Sequence, residues 1–137
     1  MRAVLDPNVI ISALLAPGGS PAKVMRAWLE GAFELVASVS LLAELERATA
    51  YPKLRKRIEP SEVSELVELL RRESRVLEDS DDPPSVRSPD PGDDYLIALA
   101  AAAQAVIVSG DRHLLDLAEQ LPVYSPAEFL RLLEGRH

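Results

Sequence analysis

Residues 2–15 place the tightest restriction on the fold. A short apolar run ends on Asp6, and within two residues Val9, Ile10, Ala13 and Leu14 repeat at helical spacing. This is a buried strand feeding directly into a helix, with a carboxylate at the junction. The same alternation recurs along the chain. Ser20-Pro21 opens a helix with an N-cap and a proline at its first position, and Val24, Met25, Trp28 and Leu29 form its inward face up to Gly31. Phe33 to Ala37 reads as a second strand. A helix follows from Ser38 or Ser40 to about Ala50, with Pro52 marking its end. Another amphipathic helix starts at Ser61, and Arg75 to Glu78 reads as a brief third strand.

Asp79 to Gly92 is polar, acidic and proline-rich, a surface loop longer than compact domains usually keep without a functional reason. Tyr95 to Ala103 is an almost continuous apolar helix, and Ala105 to Ser109 is a β-branched strand. Gly110-Asp111 turns into a helix carrying Leu114 and Leu115. Pro122 to Tyr124 is a last strand, and Ser125-Pro-Ala-Glu128 is a capping box opening the final helix, which Gly135 ends. Strands alternating with helices imply an α/β fold: a three-layer α/β/α sandwich around a mainly parallel sheet of four to five strands. The 137 residues fit a single domain, 1–137, and at 47% hydrophobic they can bury a sizeable core.

Composition narrows the chemistry. The chain has no cysteine, which excludes disulfides, thiolate zinc sites and thiol catalysis and suits the cytoplasm. No apolar run approaches the roughly 18 residues of a membrane span, and the first strand leaves no room for a signal peptide. The net charge of −7 argues against a protein that coats nucleic acid. It leaves room for a nucleic-acid enzyme whose carboxylates hold cations.

In a parallel sheet, strand ends of one polarity share an edge, and ligands bind there. Asp6 ends the first strand and Asp111 follows the fourth; Glu44 lies near the start of the helix after strand two, and Asp94 starts the buried helix before strand four. Acids gathered at one edge repel one another, and hard divalent cations such as Mg²⁺ or Mn²⁺ reverse that cost. One or two such ions can activate a water and stabilise the leaving oxygen of a phosphodiester. Each Asp taken singly also has a purely structural reading as a helix cap, and Asp6-Pro7 is close to an ideal cap pair. Glu44 and Glu46 lie at opposite margins of the apolar stripe formed by Leu41, Leu45 and Ala48, so periodicity alone does not choose between them.

His113 and the terminal His137 read as solvated side chains, and Trp28 and Met25 as core or a dimer surface. From 51 to 75 seven basic residues face five acidic ones. The run Lys53, Arg55, Lys56, Arg57 is either a solvated face or a contact for RNA.

Four segments together resemble the PIN-domain nucleases, and in particular the VapC-like toxin components of toxin–antitoxin systems. They are Val4-Leu-Asp-Pro-Asn-Val-Ile-Ile-Ser-Ala-Leu14; Leu41-Leu-Ala-Glu-Leu45 with Tyr51-Pro-Lys-Leu54; Asp90-Pro-Gly-Asp-Asp-Tyr-Leu-Ile-Ala-Leu-Ala100; and Val106-Ile-Val-Ser-Gly-Asp-Arg-His-Leu-Leu115. The resemblance covers essentially the whole chain in order and spacing. It implies a Mg²⁺- or Mn²⁺-dependent ribonuclease with Asp6, Glu44, Asp94 and Asp111 as the acidic cluster, which selects Glu44 over Glu46. Apart from the resemblance, Arg55, Lys56 and Arg57 are the candidate RNA contact on charge alone; the resemblance itself has Asn8, Ser109 and Asp93 supporting that cluster from behind. It further implies an antitoxin partner and a homodimer or higher oligomer. Two positions depart from the family pattern: Pro7 stands where Thr is usual, and His113 where many relatives carry a further Asp. The departures leave open a non-catalytic PIN-like module that binds RNA or protein. A phosphorylation-controlled signalling domain is disfavoured, because strand one lacks an acidic pair and no Lys follows the last strand.

Overall fold

The computed structural model describes residues 1–81 and 83–135, so the expectation for His137 falls outside the described residues. Among the described residues five strands form one wholly parallel sheet: β1 (Arg2–Leu5), β2 (Glu34–Ser38), β3 (Arg75–Leu77), β4 (Val106–Val108) and β5 (Val123–Tyr124), in the order β3-β2-β1-β4-β5. Ala3, Val4 and Leu5 of β1 are fully buried, as expected for a central strand covered on both faces.

The helices are α1 (Pro7–Leu15), α2 (Ser20–Leu29), α3 (Val39–Thr49), α4 (Pro52–Arg55), α5 (Pro60–Glu73), α6 (Asp94–Ala103), α7 (Arg112–Leu115) and α8 (Pro126–Glu134). Right-handed crossovers put α1 to α5 on one face of the sheet and α6 on the other. In agreement, α6 packs on β1, β2 and β4, while α8 returns to lie against α2. Phe33 and Phe129 meet edge-to-face, with centroids 5.0 Å apart, and tie α8 to the start of β2.

Helix starts follow local chemistry. Ser38 Oγ accepts from Leu41 N (3.1 Å), and Ser125 and Glu128 satisfy each other as the capping box anticipates. Gly31, at φ +86°, ends α2 in a conformation that a side chain would strain. Pro52 differs from expectation. It ends α3, but as a first-position proline it also begins the extra turn α4. For the same reason α5 starts at Pro60 rather than at Ser61. Among the described residues no helix is long and apolar enough to cross a membrane.

The chain leaves β1 toward β2 on one side and returns at β4 on the other. That reversal opens a crevice at the C-terminal ends of β1 and β4.

Candidate active site

Asp6 stands at the mouth of this crevice. It caps α1, its Oδ1 accepting from Asn8 N (3.0 Å), while Pro7 takes the first helical position, where a missing N–H costs nothing. Across the reversal, Ser109 follows β4. Its fully buried Oγ donates to Asp6 Oδ2 (2.8 Å) and accepts from Asp111 N (3.0 Å). One hydroxyl thus fixes both the Asp6 carboxylate and the turn carrying Asp111. Asp111 in turn caps α7, accepting from His113 N at 2.9 Å. The His113 side chain is exposed, its Nδ1 3.7 Å from Asp111 Oδ1. Burial pushes the Asp6 carboxyl above the ordinary range; the bonds from Asn8 and Ser109 pull it back, and the charge of Asp111 adds to the rise.

A cleft of about 280 Å³ opens over these residues, walled by Asp6, Pro7, Asn8, Glu44, Arg47, Ala48, Asp90, Gly92, Asp93, Tyr95, Leu96 and Asp111. Glu44 reaches it from the second turn of α3 and is ion-paired there with Arg47, one turn on. Glu46 points elsewhere, toward Arg71 at 3.3 Å, so the structure separates the two glutamates that periodicity left level.

The placement of the neighbouring aspartates differs from expectation. Asp93 and Asp94 are neighbours in sequence but make different contacts. Asp93 is the one that lines the cleft. Asp94 lies on the other side, nearly buried, where Oδ2 accepts from Arg87 Nε (2.6 Å) and Oδ1 from Ser88 N (2.9 Å). The Ser88 amide, aided by Arg87, holds the Asp94 carboxyl below the usual range. The carboxylate expected in the cluster therefore pins the 79–92 loop to α6, and the residue expected to support it occupies the cleft.

Asp93 is the most perturbed of these acids. Its Oδ2 is buried and no donor group reaches it, and its carboxyl lies close enough to that of Asp111 to share a proton with it. Burial first, then the charges of Asp111, Asp6 and Asp90, push its carboxyl up to about 7. The Tyr95 hydroxyl beside it is likewise raised, by burial and by Asp6 and Asp93.

The donor set is all hard oxygen, the kind Mg²⁺ and Mn²⁺ prefer, and a cation would relieve both the want of a partner donor at Asp93 Oδ2 and the repulsion around it. Among the described residues no three acidic or histidine side chains converge closely enough to hold an ion as they stand. Glu44 is engaged by Arg47 and Asp94 by Arg87, which accounts for part of that separation.

The family model described as PIN domain matches residues 2–113. The chain belongs to the PIN-domain family. An uncharacterized protein of Methanocaldococcus jannaschii is 28% identical to this PIN domain, over 98% of the chain and 92% of its own length. Among solved structures, VapBC-1 of nontypeable Haemophilus influenzae is similar in fold (TM-score 0.61, 18% identity, 93% of this chain and 99% of that one). So is a PilT N-terminus domain protein of Sulfolobus solfataricus (TM-score 0.59, 16% identity, covering 100% and 97%).

In this PIN domain, Arg55, Lys56 and Arg57 are exposed but lie away from the cleft. Arg55 lines a separate depression with Glu46, Thr49 and Pro60. Sequence reasoning passed over Arg47 and Asp90. Arg47 carried a usable signal, being three residues beyond Glu44 and so on the same helical face. Asp90 did not, since it reaches the cleft only through the turn at Pro91–Asp93.

Proposed function

We propose that this PIN domain, residues 1–137 acting as one unit, is a metal-dependent endoribonuclease. The proposal extends to its role as the toxin of a toxin–antitoxin pair, acting on RNA in the cytoplasm. One observation carries the reading: a buried carboxylate oxygen of Asp93, reached by no donor group, is pressed against Asp6 and Asp111 at the sheet's reversal point. Folded proteins rarely leave such an oxygen without a donor and so pressed by like charge unless a ligand compensates.

Asp6, Glu44, Asp93 and Asp111 would hold Mg²⁺ or Mn²⁺; Asp94, expected from the family pattern, enters as the anchor that orients α6. When bound, the ion supplies an activated water and charge compensation at the leaving oxygen. Ser109 keeps the Asp6 carboxylate turned to the cleft, and Asn8 fixes its other oxygen through a backbone amide. Water is the attacking group and its proton passes to solvent, so no covalent enzyme intermediate is needed. The exposed Arg55, Lys56 and Arg57 would engage RNA outside the cleft.

The fold shared with VapBC-1 and with FitAcB of Neisseria gonorrhoeae supports an antitoxin partner; assembly into homodimers or larger oligomers is a separate part of the proposal. The test is cleavage of labelled single-stranded RNA with Mn²⁺, its loss in EDTA, and its loss in Asp6→Asn. RNA binding without metal-dependent turnover would instead identify a non-catalytic binding module.

A further inference from the structure

Five acidic side chains line the cleft: Asp6, Glu44, Asp90, Asp93 and Asp111. Among the described residues of its wall Arg47 is the one cation. It projects from the same face of α3 as Glu44 and is ion-paired to it, with 69% of its side chain exposed. Its charge reaches the Tyr95 hydroxyl, which comes from α6.

An RNA phosphodiester entering this cleft meets like charge from every charged wall residue but Arg47. Arg71 is committed to Glu46 and Glu68 and Arg87 to Asp94, while Arg112, next to Asp111, is exposed and does not line the cleft. A planar guanidinium matches two phosphate oxygens at once, and an exposed pair one helical turn apart is weak enough to be exchanged for that contact.

We propose that Arg47 forms a phosphate-binding site within the acidic cleft, its guanidinium gripping two non-bridging oxygens of an RNA phosphodiester while Glu44 holds it in place until RNA arrives. The proposal rests on RNA being the substrate. Handing Arg47 to the phosphate also frees the Glu44 carboxylate to turn toward Asp6 and Asp111, so that filling one half of the site readies the other.

The test is binding of a labelled single-stranded RNA in EDTA, across a salt series, by parent, Arg47→Gln and Arg47→Lys. Arg47→Gln should bind severalfold more weakly, with a salt slope smaller by about one, and Arg47→Lys should regain part of the loss. Unchanged melting temperatures establish that both variants fold. Equal affinity and slope in Arg47→Gln, or no RNA binding by the parent, overturns the proposal. Cleavage with Mn²⁺, measured alongside, separates the two readings. Turnover insensitive to Arg47→Gln removes the phosphate site alone. Arg47-dependent binding without turnover removes the nuclease and keeps the phosphate site.

Discussion

Asp93 and Asp94 are adjacent and chemically identical, yet their carboxyls are shifted in opposite directions, because one is buried among acids and the other meets the donors Ser88 and Arg87. Asp93→Asn should lower Mn²⁺-dependent RNA cleavage about 100-fold, while Asp94→Asn should lower it less, as a change in support rather than in the cleft. Equal losses in both would overturn the placement. The pH dependence follows from Asp93's folded value of about 7 against the ordinary 3.8. A raised carboxyl favours the folded state fully below about pH 4, and that contribution is lost as pH rises through 7. Melting temperatures of the parent should therefore fall across pH 4–7 more steeply than those of Asp93→Asn. Over the same range Mn²⁺ binding should strengthen, since a protonated Asp93 is a poor ligand. A parallel pair of melting profiles would sink the assignment.

At the level of elements, what could be read from sequence depended on how local the determining contact is. Asp6, Ser109 and Asp111 sit where strand meets helix, and their roles follow from caps formed within two residues. The different surroundings of Asp93 and Asp94 depend on Arg87 and Ser88, reaching back from a loop whose path no periodicity specifies. The turn α4 escaped notice because Pro52 ends one helix and starts another. Asp94 also makes the loop's attachment testable. Removing both of its acceptors in Asp94→Ala leaves the Ser88 amide unpaired and should cost about 1–3 kcal/mol. Hydrogen exchange should then quicken in residues 79–92 more than in β1. Uniform quickening would mean that the contact supports the whole fold instead.

Across the whole molecule, the net charge of −7 means that the proposed RNA substrate would have to be drawn to local cations against the general field. Replacing Arg55, Lys56 and Arg57 with Ala should weaken RNA binding and shrink its salt slope without altering Mn²⁺ affinity; an unchanged slope would place the RNA elsewhere. Packing away from the cleft contributes to stability as well. Phe129, fully buried against Phe33, holds α8 to the body of the fold, and Phe129→Ala should cost about 3–5 kcal/mol in denaturant unfolding. The aspartate caps add a different kind of consequence. Asp6 and Asp111 start α1 and α7 with the same carboxyls that face the cleft, and asparagine caps a helix as well as aspartate does. A single-base change from an Asp to an Asn codon would therefore remove a proposed metal-binding charge and leave the helix starts intact. If the protein is the toxin proposed above, a lineage under pressure to disarm it has a short mutational route to a folded and inert form, still able to occupy whatever partner recognises its surface.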